Sequence, residues 1–250
     1  MKETWSFTPE KFRFMLRFLA CLMFIPCHAA IVAQADPPVE SSKYRTIFGE
    51  HYREAEEYFL REAWIADSLQ AHGIPAEFGI AVTFPEVIRY SAIRDALEMQ
   101  GLFSLYVQYG QKYANFSVGR FQMKPSFAEQ VEKDAAMLQG GYRLPLRLID
   151  FTDTPGARLN RAKRLSSPEW QLIYLMWYIE IMDSRYGLLF QPNDPEKLKF
   201  YAAAYNCGYS KPESFIRQKM KECHFHTAVF SAARLYNYAE IAGEYYLSIK

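Results

Sequence analysis

Cysteine is scarce in this chain, four among 250 residues, and that excludes a small scaffold held together by dense disulfides. An excess of one charge is missing too. The balance of 29 Lys and Arg against 28 Asp and Glu leaves +1, so there is no basic footprint for nucleic acid. No apolar run approaches the roughly 20 residues needed for a stable bilayer span. Period-two alternation is nearly absent, and neither a G-x-S-x-G elbow, a phosphate loop nor a dinucleotide fingerprint occurs. What is present is helical periodicity in a chain that is 50% hydrophobic. The reading is all-α, with enough material for one domain with a real core.

The amino terminus is organised differently. Lys2, Lys11, Arg13 and Arg17 precede the apolar run Phe18 to Ile25, and small residues end at Ala33-Gln34-Ala35. This is the pattern of a secretory signal peptide over residues 1–35, cleaved after Ala35. An uncleaved membrane helix is the lesser alternative, and Phe24-Ile25-Pro26 before Cys27 makes a poor lipobox. Cleavage removes four basic and two acidic residues, turning +1 into −1, and leaves Cys207 and Cys223. In an exported chain the two invite pairing, but spacing does not establish that their Cα atoms come within reach, so a bridge and two free thiols stand equal. Asp36-Pro37-Pro38 opens a flexible linker over residues 36–47, and residues 48–250 form the domain.

Within it, a helix runs from Tyr52 to Gln70 and stops at Gly73. Another covers Ala92 to Tyr113 with a break at Gly101, its Tyr106, Tyr109 and Tyr113 taken as core packing and not as platforms for sugar rings. Ser126 to Leu138 is helical, ended by Gly140-Gly141. The stretch Tyr142 to Leu165, with Arg143, Arg147, Arg158, Arg161, Lys163 and Arg164, reads as a solvated loop, the sharper alternative being contact with an anionic polymer. In Ser166-Ser167-Pro168-Glu169, Ser166 is the expected cap of a helix over Trp170 to Tyr186 that is apolar on almost every face and therefore central. Pro192 and Pro195 lead into a helix carrying Tyr205, and a last one spans Thr227 to Leu247. Cys223-His224-x-His226 fits no standard zinc spacing and reads as surface or core histidine.

One carboxylate stands out. Glu86 lies in the apolar segment Phe78 to Ile88, where desolvation favours the protonated acid near neutral pH. Thr83-x-x-Glu86 with Pro85 also fits a helix-start capping box. Taken alone, the cap is the weightier reading.

Two later segments reverse that weighing. Gly119-Arg120-Phe121-Gln122-Met123-Lys124-Pro125-Ser126-Phe127-Ala128 and Ala203-Ala204-Tyr205-Asn206-Cys207-Gly208 follow the lone Glu in order. Together the three resemble the signature blocks of the SLT-type lytic transglycosylases, in which the second block reads G-L-M-Q-x-x-P-x-x-A and the third A-Y-N-x-G. There are departures: Val87 replaces the family's Ser, Arg120 and Phe121 replace Leu and Met, and the segment from Glu86 to Gly119 is longer than is usual in the family.

The resemblance implies a lysozyme-like helical fold and action on the glycan strands of peptidoglycan in the periplasm or cell envelope. Glu86 would protonate the bond between N-acetylmuramic acid and N-acetylglucosamine, then deprotonate the muramyl C6 hydroxyl as it closes a 1,6-anhydro ring. Tyr205 would hydrogen-bond Glu86, Gln122 and Asn206 would contact the sugar, and Gly119 would let backbone approach the ligand. No metal or organic cofactor is implied. Two alternatives stay open. A lysozyme-like muramidase would need a second carboxylate, with Asp95, Glu98 or Asp150 as candidates. A non-catalytic peptidoglycan-binding or assembly protein could use the same fold.

Overall fold

Apolar side chains at i, i+3 and i+4 account for most of the architecture. In helix α2 (Glu50–Arg61) they are Tyr52, Ala55, Tyr58 and Phe59, all buried, and burying each large one is worth roughly 1.5–3 kcal/mol. The computed structural model describes residues 42–92, 97–139, 144–191, 194–226 and 234–250, without the side chains of residues 91–100 and Leu144, all within one unit, Glu40–Lys250. The signal peptide expected over residues 1–35 lies outside the described residues.

The order is α1 (Lys43–Phe48), α2, α3 (Trp64–Ala71), α4 (Ala76–Ala92), α5 (Leu97–Tyr109), α6 (Pro125–Met137), a 3-10 turn (Leu144–Leu148), α7 (Pro155–Leu165), α8 (Pro168–Tyr186), a second 3-10 turn (Gly187–Leu189), α9 (Pro195–Cys207), α10 (Glu213–Lys219) and α11 (Tyr238–Ile249). The class is all-α: among the described residues the only β pairings are the bridges Val118 to Met123 and Phe225 to Tyr236. No helix among them is long and apolar enough to cross a membrane.

Helix α4 is the central rod. It packs against α2, α3, α9 and α11, and touches α8. Gly79 makes one of these contacts possible, because a Cβ there would come within 2.8 Å of the Leu69 side chain on α3. A second group, α5 to α8, packs beside it through α6 on α8 and α5 on α7. As the all-round apolar pattern requires, α8 is interior, with Leu172, Tyr174, Leu175, Trp177, Tyr178, Ile179 and Ile181 buried. Its cap falls one residue after the expected Ser166, with Ser167 Oγ accepting from Trp170 N at 3.3 Å and Pro168 in the first turn.

Several expectations are corrected. The linker placed at residues 36–47 is already helix at Lys43, because Tyr44 and Phe48 bury one face. The helix expected from Tyr52 to Gln70 is two helices, parted at Glu62. Gly101 does not break α5, which ends at Gly110 with φ 81°. The last helix begins at Tyr238, and the start expected at Thr227 lies outside the described residues, as do Gly140-Gly141 and Pro192.

The largest correction concerns the arginine-rich loop, whose last 11 residues are helix α7 with Arg158, Arg161 and Arg164 buried. Spaced by three, they share one face. Arg161 Nε donates to Glu132 Oε2 at 2.9 Å and Arg164 Nη2 to Glu132 Oε1 at 2.9 Å, while Tyr174 Oη donates to the same Oε1 at 2.6 Å. Arg158 bonds the carbonyls of Val107, Gln108 and Asp153. These cations hold α7 to α5 and α6 and are unavailable to an anionic polymer.

Candidate active site

Glu86 sits in the second half of α4, not at its start. The helix begins at Ala76 and runs through Pro85, so the capping-box reading falls. Thr83 is fully buried, and its hydroxyl donates to the Ile80 carbonyl at 3.2 Å instead of capping. Glu86 is 4% exposed. Burial pushes its carboxyl up to about 7, against the smaller opposing pulls of Arg89, the Asn206 amide and Lys124. Asn206 Nδ2 donates to Oε1 at 3.3 Å. The other oxygen, Oε2, makes no hydrogen bond among the described residues and has only the Arg89 Nη1 ion pair at 3.7 Å. Val87, where the resembled family carries Ser, faces the core at 1% exposure.

The segment between α5 and α6 supplies the facing wall. Val118 and Met123 pair through both backbone groups around a tight turn, with Gln122 N bonded to the Gly119 carbonyl at 3.1 Å. Gly119 has φ 68°, and a Cβ on it would lie 1.6 Å from Gln171 Nε2. Its freedom therefore serves the approach of Gln171, whose Oε1 accepts from Phe121 N at 3.0 Å and whose Nε2 donates to the Leu165 carbonyl. Gln122 lines the cleft with φ 50°, a left-handed backbone unusual outside glycine, and donates from Nε2 to the Gly119 carbonyl at 2.8 Å. Phe121 is buried, and Arg120 lies over the rings of Tyr58 and Tyr90. The two departures in this block thus serve packing.

The end of α9 closes the site. Tyr205 does not bond Glu86 as expected. Its hydroxyl donates to the Phe121 carbonyl at 2.7 Å, tying α9 to the Gly119 turn, and burial holds its acidity well below that of an ordinary phenol. Asn206 is the residue on Glu86, and its Oδ1 faces His224 Nε2 at 2.9 Å. Both ends of the amide contact protein groups, and the residue is on the cleft lining. His224, read as an ordinary histidine, is the functional neighbour the sequence reasoning missed.

These side chains line a cleft of ≈ 380 Å³ with Glu86 and Arg89 from α4, Gln122 and Lys124 from the facing wall, Glu129 and Lys133 from α6, and Tyr205 and Asn206 from α9. Glu129 is a lining carboxylate the sequence did not single out. Tyr106 and Arg161 approach its Oε1 at 2.8 and 3.4 Å, and Gln111 donates to its Oε2 at 2.8 Å. Of the other candidates, Asp150 is at the surface with Thr152 N–H lowering its carboxyl, and Asp95 and the Glu98 side chain lie outside the described residues. Tyr106 is core, whereas Tyr109 and Tyr113 are exposed and lean on each other, against the expectation of a buried stripe. Cys207 and Cys223 are free thiols. Comparison of the chain with protein-family models, with curated proteins and with solved structures finds no match.

Proposed function

We propose that the protein is a peptidoglycan lytic transglycosylase on a lysozyme-like helical fold, acting in the periplasm or cell envelope after export. The observation that carries the reading is the state of Glu86, a carboxyl on the lining of a polar cleft that burial raises to about 7 and that has one oxygen buried without a hydrogen-bond partner. A general acid works best when its pKa lies near the working pH.

In the proposed reaction Glu86 gives its proton to the glycosidic oxygen, and the bond from that oxygen to the muramyl C1 breaks. The carboxylate then takes the proton of the C6 hydroxyl, whose oxygen bonds C1 and closes the 1,6-anhydro ring. Protons balance, and neither a metal nor an organic cofactor enters. A hydroxyl held on the substrate competes with water through an effective molarity that reaches about 10⁵ M or more. A hydrolase would need a second carboxylate to activate water. Glu129, the other carboxylate on the cleft lining, has both oxygens engaged, which favours ring closure.

The test is digestion of peptidoglycan in ¹⁸O-labelled water with mass spectrometry of the released sugars. Ring closure gives unlabelled products ending in 1,6-anhydro-N-acetylmuramic acid, and Glu86→Gln should slow their release by about two to four orders of magnitude. Labelled reducing ends would make the protein a muramidase. No release by well-folded protein would leave a non-catalytic glycan-binding role.

A further inference from the structure

Two aromatic rings are left in solvent by a backbone that is firmly held. Tyr106, Tyr109 and Tyr113 follow one another at helical spacing, yet Tyr106 is fully buried while Tyr109 is 50% and Tyr113 73% exposed. Arg158, buried on α7, grips the end of α5, its guanidinium donating to the carbonyls of Val107 and Gln108 at 2.8 and 3.0 Å. Just beyond, Gly110 N donates to the Tyr106 carbonyl at 2.7 Å, and the Gly110 carbonyl accepts from Tyr113 N and Ala114 N. Ala114 is buried in one small core with Tyr106 and Ala162 of α7. The chain on both sides of the two rings is thus anchored, and the rings remain outside.

The same turn forms an edge of the cleft. Gln111 and Asn115, which bracket Tyr113 in the chain, both reach the cleft lining. They are tied to α6, Asn115 Oδ1 accepting from Ser126 N at 3.1 Å and Gln111 Nε2 donating to Glu129 Oε2 at 2.8 Å. Ser126 and Glu129 line the cleft as well. Beside this edge the rings of Tyr109 and Tyr113 stand 5.4 Å apart and tilted by 50°, which makes a shallow angled surface.

A pyranose has a face of C–H groups and a rim of hydroxyls, and tyrosine matches both with an apolar body and a polar tip. Rings held in advance lose little freedom on binding. The amides of Gln111, Asn115, Gln122 and Gln130 on the adjoining lining supply donors and acceptors for hydroxyl and acetamido groups. Single exposed apolar side chains need no explanation, but two adjoining rings on a clamped backbone at a cleft edge do. We propose that Tyr109 and Tyr113 form an outlying sugar subsite, a platform on which the glycan strand lies where it leaves the cleft. The site rests on the glycan reading given above and extends it from one bond to strand length, so that affinity rises with added sugars until one covers the rings.

The probe is a set of strands of alternating N-acetylglucosamine and N-acetylmuramic acid, stripped of peptides and separated by length. Calorimetric titration into the full chain carrying Glu86→Gln, which leaves the strand uncut, gives a Kd for each length. Adding Tyr109→Ala and Tyr113→Ala together should weaken binding of the longest strands about tenfold or more and flatten the rise of affinity with length. Phe at both positions keeps the rings and should keep the rise. Both side chains are exposed, so thermal unfolding of all three chains should coincide. Equal affinities at every length with and without the rings overturn the proposal, as does a Phe pair that binds like the Ala pair.

NMR of ¹³C-labelled tyrosine rings in the full chain, assigned with Tyr109→Phe and Tyr113→Phe, reports ring contact without turnover. Signals of Tyr109 and Tyr113 that move with long strands and not with a disaccharide sustain the platform even if peptidoglycan is never cut. In that event only the reaction assignment falls. Cleavage by the parent chain with these signals unmoved by long strands has the reverse meaning, and the platform falls while the reaction stands. If strands of every length fail to bind the folded chain, both readings fall together.

Discussion

Replacing Glu86 by Gln should make the protein more stable at alkaline pH, and the gain can be sized from the structure. The carboxyl is raised from 4.5 in the free side chain to about 7 in the fold by burial. Below pH 4.5 it is protonated in both states and contributes fully to stability. As pH rises the unfolded chain ionises first, so stability drains away until the folded group ionises at about 7, and above that the loss is constant. The shift corresponds to about 3 kcal/mol, or roughly 6–12 °C in melting temperature for a domain of this size. Gln keeps the shape and accepts from Asn206, but has no proton to lose. The assay is thermal or urea unfolding of parent and variant from pH 4 to pH 8.5, followed by circular dichroism. The variant's advantage should appear between pH 4.5 and 7 and level off beyond. Parallel curves for the two proteins would mean that Glu86 titrates as a solvated carboxyl, and the general-acid argument would lose its physical basis.

Three further outcomes follow from other contacts. Tyr205→Phe deletes the bond to the Phe121 carbonyl and should cost about 1–3 kcal/mol for the acceptor left buried, without moving the high-pH limb of activity; a moved limb would restore the direct contact with Glu86. Gly119→Ala places a methyl on Gln171 at a left-handed backbone position and should destabilise by about 2 kcal/mol or more, read as a lower urea midpoint. Glu132→Gln leaves Arg161 and Arg164 buried without their shared counter-charge and should cost about 3–5 kcal/mol, again read from denaturant unfolding.

The helical class and the interior position of α8 could be read from the chain because each depends on local pattern alone. So could the convergence of Glu86, Gln122, Tyr205 and Asn206 on one region, carried by the order of three short blocks. Contacts within that region could not. Pro85 after Thr83 reads the same whether a helix starts there or passes through, and the difference is decided by the core around α4. The arginines of α7 looked solvated because charge normally is, yet their spacing of three was a visible signal that one helix face collects them opposite Glu132. His224 had no such signal, since its partner lies 18 residues away and only the Phe225 to Tyr236 bridge aims the ring.

Placing Glu86 on α4 gives the acid and its surroundings unequal thermal lives. The rod is wrapped by four helices, whereas the groups facing the acid come from a turn at Gly119, the C-terminal end of α9 and the chain around His224. Segments with few buried contacts open at lower cost than the core. Warming should therefore scatter the cleft walls while the acid is still enclosed, so that heat inactivation runs ahead of the loss of helix.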